Sequence, residues 1–272
     1  MYTSYWRLKQ RPFDCGCDPA FYYPGESHQA ALLKLRYVVE NRQGGAVLAG
    51  PPGCGKTLVL AMLRAMLPEP LAPWIQLVYP QMSGEELVAW LAGQLGGTCS
   101  AGPPSVARSL RQIEEALWHN SRQGRHAVLV IDEAHLADDP GTQEALRLLM
   151  NFQYEGHGCL TLVLAGQVRL LPLVDRAPGL EERLAVRCLL RPFNEAETAA
   201  YVMHRLRVAG CDRPLFDTEA LGTLHRLSGG IARRINRLCD LALLIGFAEE
   251  EETISAAHLE AISEELASVV PE

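Results

Sequence analysis

The sequence lacks any apolar run approaching the roughly 18–20 residues that a membrane-crossing helix needs, so no integral membrane segment is expected in these 272 residues. Paired cysteine motifs are missing too. The eight cysteines, at positions 15, 17, 54, 99, 159, 188, 211 and 239, include no Cys-x-x-Cys spacing, and Cys15 and Cys17 form the only close pair. Structural zinc sites usually use two such pairs, so these residues read as scattered reduced thiols. The first seven residues hold nothing like the apolar stretch of a signal peptide. Together with reduced thiols, this predicts a cytoplasmic protein. Positive charge is also short: 25 Lys and Arg against 32 Asp and Glu leave a net −7, which argues against non-specific coating of nucleic acid. Aromatics make up only 7%, yet 48% of residues are hydrophobic and 21% charged, a composition that builds a packed core and excludes a disordered chain.

Short apolar runs are what the sequence does have. Residues 46–49, 74–79, 127–131, 160–165 and 186–190 are rich in Val, Ile and Leu and too short to be helices. Such runs fit strands covered on both faces, as in a parallel sheet. Between them, residues 56–67, 84–95, 105–123 and 142–154 carry helical patterns. In the third, Val106, Leu110, Ile113, Leu117 and Trp118 make a stripe expected to face the core. Strand and helix in alternation predict an α/β sheet with helices on both faces. After Arg191 the strands stop. Residues 195–209, 218–227, 232–247 and 256–267 read as helices, with Asn194 and Ser255 as N-caps and Glu197 completing a capping box with Asn194. The expected division is an α/β domain over residues 1–191 and a small helical lid over 192–272. The Gly- and Pro-rich residues 96–104 read as a surface loop inside the first domain.

Gly50-Pro51-Pro52-Gly53-Cys54-Gly55-Lys56-Thr57 matches the phosphate-loop pattern G-x-x-x-x-G-K-[ST], with an apolar strand before it and a helix after it. Glycines let the backbone curl until successive N–H groups converge on phosphate oxygens, at the positive end of the next helix. Lys56 is expected to reach the β- and γ-phosphates and the Thr57 hydroxyl to help hold Mg²⁺, with Leu58 next to them in the binding stretch. Cys54 reads as a small neutral filler.

The run Ala127–Ile131 ends in Asp132-Glu133. A parallel strand delivers its C-terminal residues to the edge where ligands bind. Asp132 is then placed to hold the metal and Glu133 to orient and deprotonate an attacking water. Asp132-Glu133-Ala134-His135 also spells a helicase signature. That class needs a second sheet domain with its own arginine motif, which the helical residues after Arg191 do not supply. His135 therefore reads as a residue at a local helix start.

Several further segments occur in a familiar order: Tyr5-Trp6-Arg7-Leu8, Arg11-Pro12-Phe13, Asp18 to Tyr23, His28 to Leu32, Glu144 to Phe152, Leu162 to Gln167 and Ser228 to Asp240. With the two motifs above, nearly the whole chain resembles the general secretion pathway protein A type of AAA+ ATPases. The resemblance implies a five-stranded parallel sheet sandwiched by helices, followed by an all-helical lid, with ATP and Mg²⁺ as ligands. It implies that Gln167 is the first sensor of the γ-phosphate and that Arg233, or the adjacent Arg234, is the second. Arg183, or alternatively Arg187, matches an arginine finger acting on a neighbouring subunit, so a homo-oligomer is expected. Residues 22–29 are expected to fold over the adenine. The loop departs from the commoner Gly-x-Pro-Gly-Thr pattern without harm to phosphate binding. Members of the family often carry a membrane helix and a cell-wall-binding domain after the lid. This sequence stops at Pro271-Glu272, so the resemblance gives a weaker expectation of a role at the envelope.

The leading expectation is an ATPase that drives assembly or remodelling of a protein partner in secretion, pilus or exopolysaccharide machinery. One rival is an ATP-dependent DNA-binding regulator of the transposition type, drawing on the arginines between residues 226 and 237. DNA is the less favoured partner, given the net charge. A second rival, an ATP-gated scaffold without hydrolysis, is opposed by the intact Asp132 and Glu133.

Overall fold

The computed structural model describes residues 2–69, 71–96 and 105–268. Of the loop expected over residues 96–104, everything from 97 on lies outside them.

Among the described residues, seven strands and twelve α-helices follow one another. The N-terminal part holds α1 (Tyr2–Tyr5), α2 (Glu26–Glu40), β1 (Gly45–Ala49), α3 (Lys56–Met66), β2 (Trp74–Leu77) and α4 (Gly84–Gln94). Next come α5 (Val106–Arg122), β3 (Ala127–Ile131), α6 (Pro140–Leu149), the short strands β4 (Gln153–Tyr154) and β5 (His157–Gly158), and β6 (Leu160–Gly166). The series ends with α7 (Leu170–Asp175), α8 (Pro178–Glu181), β7 (Leu184–Leu189), α9 (Glu195–Val208), α10 (Thr218–Ser228), α11 (Ala232–Ala248) and α12 (Ala256–Ser268).

Five strands pair in parallel in the order β2-β3-β6-β1-β7, while β4 and β5 form a separate antiparallel hairpin. Every residue of β1, β3 and β6 is buried, which is why their sequences are continuous apolar runs instead of alternating ones. The edge strand β7 alternates partly, with Cys188 buried and Leu189 exposed.

The chain groups into two compact units. One comprises Ala30–Gly50 and Met62–Leu190; the other comprises Met1–Gln29, Pro51–Ala61 and Arg191–Glu272. The sheet unit has its core around Leu129, Leu162, Ile113, Leu117 and Leu91. The other unit is built on α9 to α12, with Trp6, Phe13, Phe193, Val202, Leu243 and Ile254 in its core. Its N-terminal segment is fixed by two buried anchors. The Trp6 indole N–H donates to the Leu243 carbonyl at 2.8 Å, and Arg205, 2% exposed, donates to the carbonyls of Pro12 (2.5 Å) and Asp14 (2.6 Å). A buried guanidinium is tolerated only when its donors are matched in this way. The expected capping box forms, with the Asn194 side chain on the Glu197 N–H and Glu197 reaching back to Asn194. Ser255 directly precedes α12, and its N–H donates to His258 Nδ1 at 3.0 Å.

Local departures from expectation have physical causes. β2 ends at Leu77, and the two apolar residues beyond it, Val78 and Tyr79, are exposed. Helix α6 starts at Pro140 behind the N-cap Asp139 and ends before the hairpin, so residues 153–154 are strand. The α5 stripe faces the core only from Ile113 on: Val106 and Leu110 are exposed, while Ile113 and Leu117 are fully buried. Helix α2 and the hairpin carried no expectation.

His126 is a fully buried histidine beneath β3. Its Nε2–H donates to the Thr161 hydroxyl oxygen at 2.8 Å, and that hydroxyl donates onward to the Gln43 carbonyl at 2.8 Å. Burial, aided by the charge of Arg42, lowers its pKa to about 4. The unfolded chain takes up this proton near the ordinary value of about 6.5, so folding stability falls as pH drops from about 6.5 toward 4. The loss expected from this group is on the order of 3 kcal/mol. Urea midpoints at pH 7 and pH 4.5 should therefore diverge more in the wild type than in His126→Gln. Parallel profiles would show that His126 does not govern acid stability.

Candidate functional site

The phosphate loop owes its shape to glycine and to contacts with its own unit. Gly53 (φ 80°) and Gly55 (φ 91°) lie in the left-handed region that side chains rarely adopt. A Cβ on Gly53 would also stand 2.8 Å from the Arg233 Cβ. The Gly53 carbonyl accepts from the Arg233 N–H at 3.1 Å, at the start of α11. On the loop's other side His28, 5% exposed, donates its Nε2–H to the Cys54 carbonyl at 2.7 Å. Burial lowers the His28 pKa, which favours the neutral ring. Cys54 is buried, and burial pushes its thiol pKa up, which disfavours a reactive thiolate. Lys56 opens α3. It is only 6% exposed, and its Nζ donates to the Pro51 carbonyl at 3.1 Å. Thr57 is exposed at the helix start.

In the sheet unit, β1 hands the chain to this loop at Gly50, whose N–H donates to the Gly166 carbonyl at 3.1 Å. β6 lies between β1 and β3, and all three run parallel. Gly50, Gln167 and Asp132 therefore leave the same sheet edge on neighbouring strands. Asp132 is 4% exposed; its N–H donates to the Leu77 carbonyl at 2.7 Å and its Oδ1 accepts the Glu133 N–H at 2.9 Å. Glu133 adopts a left-handed backbone (φ 49°, ψ 34°), a conformation that costs a side-chain-bearing residue about 1–3 kcal/mol and clusters at functional sites. Its carboxylate is substantially exposed. Hard carboxylate and hydroxyl oxygens suit a divalent cation such as Mg²⁺.

Arg183 lies elsewhere. It precedes β7, whose first residue Leu184 pairs with Gly45 at the start of β1. Arg183 thus stands at the N-terminal edge of the parallel sheet, opposite Asp132, Glu133 and Gln167. Arg187 is engaged within the chain, donating to Asp175 at 2.6 Å and Glu181 at 2.7 Å. Arg233 and Arg234 are both exposed on α11, and Arg233 is the one whose backbone meets the phosphate loop.

Sequence reasoning missed the roles of two histidines. In the sequence His28 figures only within a resembling segment, yet it braces the loop. The sequence reads His135 as a helix-start residue. It does lie in the 3₁₀ turn Ala134–Leu136, but its Nδ1 also accepts the Gln167 N–H at 3.2 Å. The Glu144 to Phe152 stretch forms the second half of α6 and the turn after it, where Arg147 pairs with Glu144.

Comparison with known proteins agrees with this geometry. The sequence profile described as AAA domain matches residues 39–174. The chain is 36% identical over 260 residues to the general secretion pathway protein A of Aeromonas hydrophila, covering 93% of this chain and 46% of that protein. It therefore spans less than half the length of this curated relative. Among solved structures, the Aeropyrum pernix ORC2 protein with ADPNP and ADP superposes with a TM-score of 0.71 at 16% identity, covering 97% of this chain and 73% of that one. Cdc6p from Pyrobaculum aerophilum gives 0.70 at 16% identity, with 89% and 67% covered. The Thermotoga maritima RuvB Holliday junction branch migration motor gives 0.62 at 18% identity, with 89% and 68% covered. At such identities these likenesses concern the fold alone: a P-loop sheet with a helical region after it.

Proposed function

This chain belongs to the AAA+ ATPase family, and on that footing we propose that it binds ATP with Mg²⁺ and hydrolyses it to drive assembly or remodelling of a protein partner. The observation that carries the reading is the shared sheet edge, where neighbouring strands deliver Gly50, Gln167, and Asp132 with Glu133. In this reading the loop N–H groups and Lys56 hold the triphosphate. Thr57 and Asp132 would hold the metal, which supplies charge neutralisation to the phosphates when bound. The Glu133 carboxylate takes the proton from a water as its oxygen bonds to the γ-phosphorus and the bond to ADP breaks. The Gln167 side chain orients that water. Arg233 approaches the same phosphates from α11, being favoured over Arg234 by its contact with Gly53. The division into a sheet domain over 1–191 and a lid over 192–272 belongs to the same proposal.

Arg183 is assigned to the nucleotide of a second copy. Its place at the far sheet edge suits action in trans and not on the same chain's site, and the ion pairs of Arg187 argue for Arg183 as the finger. A homo-oligomer follows. The relative from Aeromonas hydrophila carries secretion in its name, which supports secretion or related surface machinery as the setting. No helix among the described residues is long and apolar enough to cross a membrane, in keeping with a site of action in the cytoplasm.

A DNA-binding regulator is the second reading, favoured by Arg233, Arg234 and Arg237, all exposed on α11. Arg226 of the same stretch is paired with Glu260 at 2.6 Å. ATPase rates with and without duplex DNA, and anisotropy titrated against salt, separate the two. The protein-remodelling reading expects turnover that DNA leaves unchanged and no salt-dependent affinity. Stimulation by DNA, with affinity falling steeply as salt rises, would favour the second.

A further inference from the structure

His135 has no task in the mechanism above, yet its ring lies between two residues that do. The side chain is 2% exposed. Its Nδ1 accepts the Gln167 main-chain N–H at 3.2 Å, and the same nitrogen lies 3.4 Å from Glu133 Oε2. A backbone N–H can only donate, so Nδ1 presents its lone pair to Gln167 and the neutral ring carries its proton on Nε2. In that state the carboxylate oxygen meets the same nitrogen with no proton between them, so it cannot accept a hydrogen bond from Nδ1. With the proton on Nδ1 the situation reverses: Glu133 gains a donor and the Gln167 N–H loses its acceptor. One nitrogen cannot serve both. The close approach is built in at Gly166, where a Cβ would stand 3.1 Å from Nδ1 and 3.2 Å from the His135 nitrogen. The ring is buried, so water does not easily satisfy the Gln167 N–H once it loses Nδ1, whereas the Glu133 carboxylate is exposed enough to be hydrated.

We propose that His135 is a positioning residue that couples Glu133 to Gln167 through Nδ1, making the release of the carboxylate and the fixing of the Gln167 main chain one event. With Nδ1 accepting from Gln167, that residue is held and Glu133 is free to turn toward the water. With Nδ1 carrying the ring proton, Glu133 is drawn onto the ring and Gln167 is loosened. The same single proton moves from Nε2 to Nδ1, and the net charge is unchanged. The inference rests on the reading of Glu133 as base and Gln167 as sensor.

The test compares His135→Asn with His135→Gln in the full chain. An asparagine amide places its polar atoms near Nδ1, whereas a glutamine places them near Nε2. Expected is a kcat within about 5-fold of wild type for His135→Asn and a loss of roughly 10–100-fold for His135→Gln. The KM for ATP should stay within about 3-fold, and thermal midpoints should match between the two variants. Equal losses in both, or a reversed order, would overturn the proposal. Nitrogen NMR of the wild type adds a readout independent of turnover: an unprotonated Nδ1 with coupling across the bond from the Gln167 N–H. A protonated Nδ1 without that coupling also overturns the proposal. Coupling present in a protein that does not hydrolyse ATP would instead contradict the role of Glu133 and leave the link standing.

Discussion

Lys56→Ala is expected to abolish measurable ATP binding, lowering affinity by at least about 100-fold, because it removes a charge-assisted contact of the strongest kind. Lysines are almost never fully buried without a partner. Lys56 is 6% exposed at the first position of α3, and in this structure its ammonium leans on the Pro51 carbonyl of its own loop. The loop backbone is shaped by Gly53, Gly55 and the His28 contact, none of which involves the Lys56 side chain. The substitution should therefore leave the fold intact. Calorimetric titration with ATP and Mg²⁺, alongside a thermal melt, checks both halves. Unchanged affinity in a folded variant would remove the loop from nucleotide binding.

Glu133→Gln is expected to act in the opposite way. The amide keeps the size of the side chain and cannot accept the proton of a water at neutral pH. Turnover should fall by about 10²–10⁴-fold while ATP affinity stays within about 3-fold. Asp132 beside it is buried and bound to the Glu133 N–H, so the backbone that presents residue 133 is held independently of the carboxylate. Phosphate release under saturating ATP measures the loss, and titration of the same variant measures binding. A variant that turns over normally would assign the base elsewhere. One that loses affinity and turnover together would make Glu133 a binding group.

The parallel sheet and the two motif segments could be read from the sequence because each is a local signal. A fully buried strand must be a continuous apolar run, and Ala127–Ile131 matches β3 residue for residue. The helices after Arg191 were similarly legible because N-cap chemistry such as Asn194 with Glu197 is encoded within a single turn. What escaped depends on neighbours far apart in sequence. β6 lies beside β3 and β1 although some thirty residues separate β3 from it and far more separate β1. Without that order, nothing places His135 against Gln167, 32 residues away. The His28 contact with Cys54 spans 26 residues in the same manner. The outer half of the α5 stripe misled for a related reason. Val106 and Leu110 are apolar at helical spacing, and periodicity alone does not say where a helix loses its covering neighbour.

The account depends on the phosphate loop and the acidic pair serving one triphosphate. Pulsed EPR on the protein with Mn²⁺ in place of Mg²⁺ and a non-hydrolysable ATP analogue tests this most directly, through ³¹P couplings between the metal and the phosphates. The account predicts clear couplings in the wild type and in Glu133→Gln, and their loss in Asp132→Ala and Thr57→Ala. Couplings that persist undiminished in both variants would contradict it.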